Sequence, residues 1–412
     1  MPQLMRHRTT VPPAALWRSE RGAILIHVAV GMIAILAISA LTVDYGVMWV
    51  SRGQAQNAAD SAAHAAAISL AFVDPDDQDL ARNSALSVAQ QHQIWDGQPD
   101  VTAGDITFPA CPPGAPGPPD TCVRADVFRN QRAGGSPLPT FFAQFVGLTE
   151  QGVRATATAQ VLIGDTADCV KPWAASDKWL ELNPEASEWD PADTFERYEP
   201  NGPNAGALLD PADFYEPPSN GSTGTGFTLA DDYGTELILK SGTPNQAIEP
   251  GWFFPVIINP SEGPGGDNYR ENIATCDPTP VGPGSVLTNE PGNMIGPTRQ
   301  GVLDLIAQDP DAFWDPSANG GQGAPSGGCM ADGTCGLSAR LVAIPLFNPD
   351  AYDAGRASGR IDIDIVNVMG FWLEGMQGNE VVGYITHYPA LASGSSTVSE
   401  ESAFLRTVVL VR

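Results

Sequence analysis

The pattern of hydrophobic and polar positions divides the chain into three regimes. From Gly22 to Val43 no side chain carries a formal charge. As a helix this run would reach roughly 33 Å, enough to cross a bilayer core of about 30 Å. From Ser51 to Phe72 alanine takes over, the strongest helix former, and Gly53 is the one weak position. Asn57, Asp60, Ser61 and His64 fall at i, i+3, i+4 and i+7, so the predicted helix carries one polar stripe on an otherwise alanine surface. Asp60 and His64 have the spacing of an ion pair, although an ordinary solvated helix face is the plainer account of them.

Beyond this point the runs shorten. Asp77 to Ile94 reads as a second helix, and Ile106 to Phe108, Cys122 to Phe128 and Val153 to Ile163 read as strands. The segment SPLPTFFAQFVGL is predicted as a proline-started helix with a serine before it. Farther on, TELILK, GWFFPVIIN, ARLVAIPLF, GRIDIDIVNVMGFWL, EVVGYITHY and AFLRTVVLV have strand character, interrupted by one helix, TRQGVLDLIAQ. Ile361, Ile363 and Ile365 alternate with Asp362 and Asp364, which puts one face in the core, and the phase shift at Val366 predicts a bulge before Phe371 and Trp372. The expected class is α+β: one transmembrane helix extended by an Ala-rich helix, then a small α+β unit and a larger β-rich extracytoplasmic domain. The corresponding boundaries are an arm at 1–21, a span at 22–43, the Ala-rich extension at 44–73, the small unit at 74–164 and the β-rich domain at 165–412.

Composition sharpens this picture. The formal charge is -27, yet Arg6, Arg8, Arg18, Arg21 and Arg52 face only Glu20 and Asp44 in the first 53 residues. Arginines before the span and an acidic body after it predict a cytoplasmic amino terminus and an extracytoplasmic body in a single-pass inner-membrane protein. An acidic body repels phosphates, which argues against a nucleic-acid partner. All six cysteines, Cys111, Cys122, Cys169, Cys276, Cys329 and Cys335, lie beyond the apolar segment, as expected for disulfides in an oxidising compartment. Fifteen pairings are formally available; Cys111 with Cys122 and Cys329 with Cys335 would close short loops, leaving Cys169 with Cys276 for a longer one. His27, the one titratable group in the apolar run, sits near its cytoplasmic edge, where an imidazole can tilt toward headgroups.

The stretch ERGAILIHVAVGMIAILAISALTVDYGVMWVSRGQAQNAADSAAHAAAISLA resembles the amino-terminal module of the TadE/TadG-like proteins of Flp (Tad) pilus assembly. Three features carry the resemblance in order: Glu20-Arg21-Gly22 opening an apolar helix, an aspartate near its end, and the motif built on Gln56, Ala58, Ala59, Asp60, Ala62 and Ala63. Pilin-like members carry Gly-x-x-x-x-Glu, cut after the glycine by a prepilin peptidase, with the glutamate assisting subunit docking. Here the corresponding cut would separate Gly22 from Ala23, and His27 stands in place of the glutamate. The resemblance therefore implies an uncleaved, anchored assembly protein, with pilins or pilus-assembly proteins as partners. Looser similarity to TadG-related bodies extends to DCVKPW, PGNMIGPTRQGVLDLI and the carboxy-terminal strands.

The sequence lacks motifs for catalysis. After the anchor helix only His92 and His387 remain, and there is no Gly-x-Ser-x-Gly elbow, phosphate-loop lysine, dinucleotide glycine pattern or His-Glu-x-x-His helix. The expectation is no enzyme and no cofactor. Calcium is the one ion whose chemistry suits loops such as ADDYG and EGPGGDN, although no EF-hand spacing occurs and the Asp-x-Ser-x-Ser metal motif of some TadG-like proteins is absent. The competing reading is a secreted or surface-released adhesin or hydrolase whose amino-terminal segment is only a targeting signal.

Overall fold

The computed structural model describes residues 20–72, 78–132, 135–183, 190, 193–200, 202–243, 246–331, 334–335, 337–358, 363–391 and 397–411. The predicted arm, apart from its last two residues, and Ile361 and Asp362 lie outside them. Contacts divide the chain into two compact units, one of Met1–Ala59, Val88–Thr102 and Asp126–Thr156, the other of Asp60–Ser87, Ala103–Ala125 and Ala157–Arg412. Helices α1 (Glu20–Phe72) and α2 (Gln78–Gln91) and strands β2 (Cys122–Arg129) and β5 (Val153–Gly164) each begin in one unit and end in the other.

Helix α1 is continuous for 53 residues, about 80 Å at the helical rise. From Ile24 to Val43 its side chains are exposed, apart from half-buried Ala40. Burial begins at Asp44 and recurs at Val47, Ser51 and Ala55. It then continues through Ala58, Ala59, Ala62, Ala63, Ala66 and Ala67, while Asn57 and His64 stay exposed. This is the slim, one-sided helix that the alanine pattern predicts, because a methyl side chain lets neighbouring atoms approach the backbone closely. In α2 the same logic buries Ala81, Ala85 and Ala89, and Ser84 Oγ meets Ser69 Oγ of α1 at 2.7 Å.

In the first unit, β3 (Leu138–Pro139) and β4 (Glu150–Gln151) form a short antiparallel ladder that closes a loop. The predicted helix over SPLPTFFAQFVGL is thus corrected: only a 3₁₀ turn forms, at Ala143–Val146. Gln54 Oε1 accepts the Trp95 amide at 2.8 Å, and Gln56 Nε2 donates to the Thr156 carbonyl at 3.2 Å. Asp126 pairs with Arg154 at 3.0 Å, and Arg132 stacks over Phe128.

The second unit holds two sheets that carry its core. Strands β1 (Ile106–Thr107), β15 (Tyr388–Pro389) and β16 (Leu405–Val411) join β2 and β5 in a five-stranded sheet of order β1-β2-β5-β16-β15. The other sheet closes on itself. Its strands are β6 (Trp173–Ser176), β7 (Glu236–Ser241), β8 (Trp252–Ile257), β12 (Leu341–Phe347), β13 (Ile363–Gln377) and β14 (Glu380–Thr386), in the order β12-β6-β8-β7-β14-β13, and β13 pairs back with β12. Strand β9 (Val286–Asn289) adds to β13 and β8. Two of the pairings, β12 with β6 and β7 with β8, are parallel.

Closure explains the sequence of β12. LVAIPLF reads as a continuous apolar run because both faces are buried: Val342, Ile344 and Leu346 join one core cluster with Trp173, Leu239, Phe253, Phe371 and Ile385, and Ala343 and Phe347 join another with Phe254 and Tyr352. The register of β13 against β12 slips between Leu346 and Phe347, skipping Val366. That is the bulge the phase shift predicts, and it lets Ile365 and Val368 lie in the same cluster. Arg340 fastens one edge: its Nε donates to the Leu373 carbonyl at 2.9 Å, its other nitrogens reach the Glu374 and Ala312 carbonyls, and its plane lies over Trp372.

Helices absent from the sequence reading cover this sheet. Besides α5 (Ile295–Ile306), which the sequence predicts, α4 (Gly266–Ala274) and α7 (Pro349–Ser358) form. Tyr269 and Ile273 of α4 and Val302 and Leu305 of α5 enter the core beside the strands. Gly301 allows the close approach of the two helices, since a Cβ there would meet Ile273. Further short elements are α3 (Leu229–Asp232), α6 (Gly328–Ala331) and the hairpin of β10 (Ala312–Asp315) and β11 (Ala324–Gly327). Disulfides join Cys111 to Cys122, Cys169 to Cys276 and Cys329 to Cys335.

Gly383 of β14 pairs with Leu373, and an added methyl would collide with the Trp372 carbonyl and the Phe371 ring. Gly383→Ala is expected to lower stability by about 1–3 kcal/mol through overpacking, read as a fall in the denaturant midpoint of the purified protein.

Candidate functional site at the end of the apolar helix

The residue that follows the uncharged run is a buried acid met by three backbone amides. Asp44 follows Val43 in an unbroken helix and is only 7% exposed. Its carboxylate accepts the amide of Phe141 at 2.7 Å on Oδ1, and those of Phe142 at 3.0 Å and Ala143 at 2.6 Å on Oδ2. Burial pushes the Asp44 carboxyl up, but the three amides outweigh it and hold the group below its ordinary value.

The loop is built to present those amides. Phe142 precedes the 3₁₀ turn, whose first N–H groups have no partner within the turn, and a negative charge suits that end. Gly147 closes the turn at φ 91°, a left-handed conformation that glycine adopts without strain, and its amide returns to the Gln144 carbonyl at 3.1 Å. Thr140 Oγ1 bonds the Leu148 carbonyl, Gln144 Nε2 the Phe141 carbonyl, and Gln151 Nε2 the Pro139 carbonyl, each at 2.9 Å. Phe141, Phe142 and Leu148 remain exposed, as do Tyr45 and Trp49 on α1. The aspartate is legible in the sequence, whereas the loop that meets it reads there as a helix. The available signal was the absence of any charged residue from Ser136 to Thr149 in an otherwise acidic chain.

The residues singled out from the sequence take these places. Gly22, Ala23 and His27 lie within the continuous apolar part of α1. Ala58, Ala59, Ala62 and Ala63 are fully buried, Asp60 is half-buried, and Gln56 makes the carbonyl bond already described. The six cysteines form the three disulfides. Asp309 lies close to Cys329 and Cys335, but the sulfurs are bonded to each other, and Asp309 accepts the Cys329 amide and the Ser338 hydroxyl. In ADDYG, Asp232 binds Lys178 at 3.0 Å and the Thr228 amide at 2.8 Å. In EGPGGDN, Glu262 accepts the Asn268 side chain on its backbone carbonyl and the Asn272 side chain on its carboxylate.

Perturbed groups elsewhere in the second unit are enclosed by protein. His387 is buried against the Phe72 and Tyr233 rings, and burial, followed by the Arg406 charge, pushes it down to about 3. Lys171 borders a cavity of about 250 Å³ and donates to the Thr275 carbonyl at 2.6 Å beyond the last turn of α4; burial pushes it down to about 8. Asp177, pushed up to about 6 by burial, accepts the Tyr215 hydroxyl and the Phe227 amide, both at 2.9 Å. Glu181 is pushed up to about 7 by burial and by the Asp213 carboxylate beside it, and Asp213 itself is held by the Leu182, Asn183 and Glu196 amides.

These features define a class: a bilayer-length apolar helix that runs without a break into an Ala-faced helix, in a chain whose remainder is β-rich. Residues 22–69 match the family model described as Putative Flp pilus-assembly TadE/G-like. Comparisons with curated proteins and with solved structures gave no match. The matched segment runs from the opening glycine through the Ala-rich motif and includes Asp44.

Two outcomes follow from the site. Because the Asp44 carboxyl is held low, its contribution is complete above the ordinary carboxylate range and is lost as pH falls through the lowered value. Asp44→Ala should speed hydrogen exchange at the Phe141–Ala143 amides at neutral pH, and acidification should do the same to the unaltered protein. For His387, the unfolded chain binds the proton near pH 6.5 and the folded chain only near 3, so stability falls as pH drops across that window. Moving from about pH 7 to about pH 4.5 should cost on the order of 2 kcal/mol at this group, and His387→Phe should flatten the urea-midpoint profile there.

Proposed function

We propose that this protein is a membrane-anchored, noncatalytic assembly or minor-pilin-like component of a Tad/Flp-type pilus or secretion apparatus. The observation that carries the proposal is the family match over residues 22–69, coincident with an apolar helix long enough to cross a membrane. In this reading the helix holds the protein in the inner membrane with its amino terminus in the cytoplasm. The body lies outside and works through protein contacts with pilins or other assembly components. The arginine-rich beginning supports that orientation, and the disulfides support an oxidising location for the body.

The noncatalytic role is supported by the occupancy of the perturbed groups. Each of Asp177, Glu181 and Lys171 is engaged by protein partners. His27 in place of the pilin glutamate favours an anchor that keeps its amino terminus. Calcium binding remains a proposal of the acidic loops alone.

Deleting the gene in the native host should abolish surface pili, with restoration by the full chain; unchanged piliation would sink the assembly role. Amino-terminal sequencing of the membrane fraction should find the chain uncut at Gly22. A start at Ala23 would instead make it a processed pseudopilin, and a soluble form beginning after the apolar run would favour the secreted adhesin or hydrolase.

A further inference from the structure

We propose that the loop from Leu138 to Gln151 is a second membrane contact, its tip seated in the lipid headgroup layer where the apolar helix leaves the bilayer. The proposal rests on the anchored reading above and adds a surface to it.

Position comes first. The amides of Phe141, Phe142 and Ala143 all lie within 3.0 Å of an Asp44 carboxylate oxygen. Asp44 is the first residue after the uncharged run that ends at Val43. A helix whose run spans the hydrocarbon therefore places Asp44, and with it the loop tip, at the bilayer surface. Continuity with the span thus selects lipid as the occupant.

Chemistry agrees with position. Phe141, Phe142 and Leu148 of this one loop are 45%, 39% and 61% exposed, three large apolar side chains that lipid would cover. On the adjoining helix Tyr45 and Trp49, one turn apart with ring centroids 6.3 Å from each other, are also exposed, and these two residue types favour the membrane interface. No charged side chain occurs from Ser136 to Thr149; Glu150, exposed in the ladder at the base of the loop, is the one charged residue between Leu138 and Gln151. Asp44 is the exception that the geometry handles: an acid at this depth is costly unless its charge is met, and three backbone donors meet it.

The mechanical consequence is a fixed depth. A lone helix can slide or tilt to adjust to bilayer thickness. A carboxylate tied to a loop that itself rests in the headgroups resists movement in either direction. Asp44 is then a positioning residue and the exposed Phe141, Phe142 and Leu148 a depth stop.

The test uses the full chain reconstituted into phosphatidylcholine vesicles, with an environment-sensitive fluorophore on Leu148→Cys, or on Leu36→Cys as a reference within the apolar run. Nitroxides are placed on the lipid headgroup, shallow on the acyl chain or deep in it. The label at 148 should shift to the blue and lose emission most to the headgroup and shallow nitroxides, while the label at 36 responds most to the deep one. A water-like, unquenched label at 148 beside a deeply quenched label at 36 would overturn the loop contact and leave the anchor standing. An unquenched label at 36 would remove the anchor and the proposal together. Adding Asp44→Ala should reduce quenching at 148 but not at 36; unchanged quenching at 148 would overturn the positioning role of Asp44.

Discussion

A helix satisfies its own backbone hydrogen bonds, and that constraint governs everything amino-terminal in this protein. Because α1 needs no outside partner for its amides, it can pass from an exposed apolar stretch to a buried alanine face without a break, changing only its side chains. The change falls at Asp44. A charge at such a border must find donors, and it finds them in a loop whose own turn leaves three amides unused. One carboxylate thereby satisfies two local deficits, the acid's and the turn's.

The β-rich body meets the same requirement by closure. Strands β12 and β13 pair with each other along Leu341–Phe347, and each also pairs on its other side, β12 with β6 at Leu346 and Phe347 and β13 with β14 from Gly370 to Gln377, which closes the sheet. Arg340 is the costly part of this arrangement, a charge brought inside the fold. It is balanced by the Glu374 carboxylate at 3.5 Å, by the Leu373 and Glu374 carbonyls within β13 and by the Trp372 ring. Burial of Lys171 is handled in the same manner, with its ammonium set against carbonyls at the end of α4, where the helix dipole favours a cation.

The buried acids of the second unit are tied to neighbouring backbone and side chains. Asp177 links a tyrosine hydroxyl to a loop amide, and Asp213 gathers three amides. His387 is enclosed by aromatic rings that keep it neutral. For Asp177 and Asp213 these bonds replace the partners that burial takes away from water.

The sequence by itself determined what depends on near neighbours. The uncharged run, the alanine face, most of the strands and the bulge at Val366 were legible because each is a periodic pattern read over a few adjacent residues. Tertiary structure alone decided the rest. SPLPTFFAQFVGL has the composition of a helix start, yet its amides go to a carboxylate 97 residues away in sequence, and a short turn replaces the helix. Barrel closure likewise depends on parallel pairings such as β6 with β12, whose partners lie far apart along the chain. Periodicity specifies which face of a segment seeks cover, but a hydrogen bond or a strand pairing is fixed only when a distant partner arrives, and nothing local encodes that arrival.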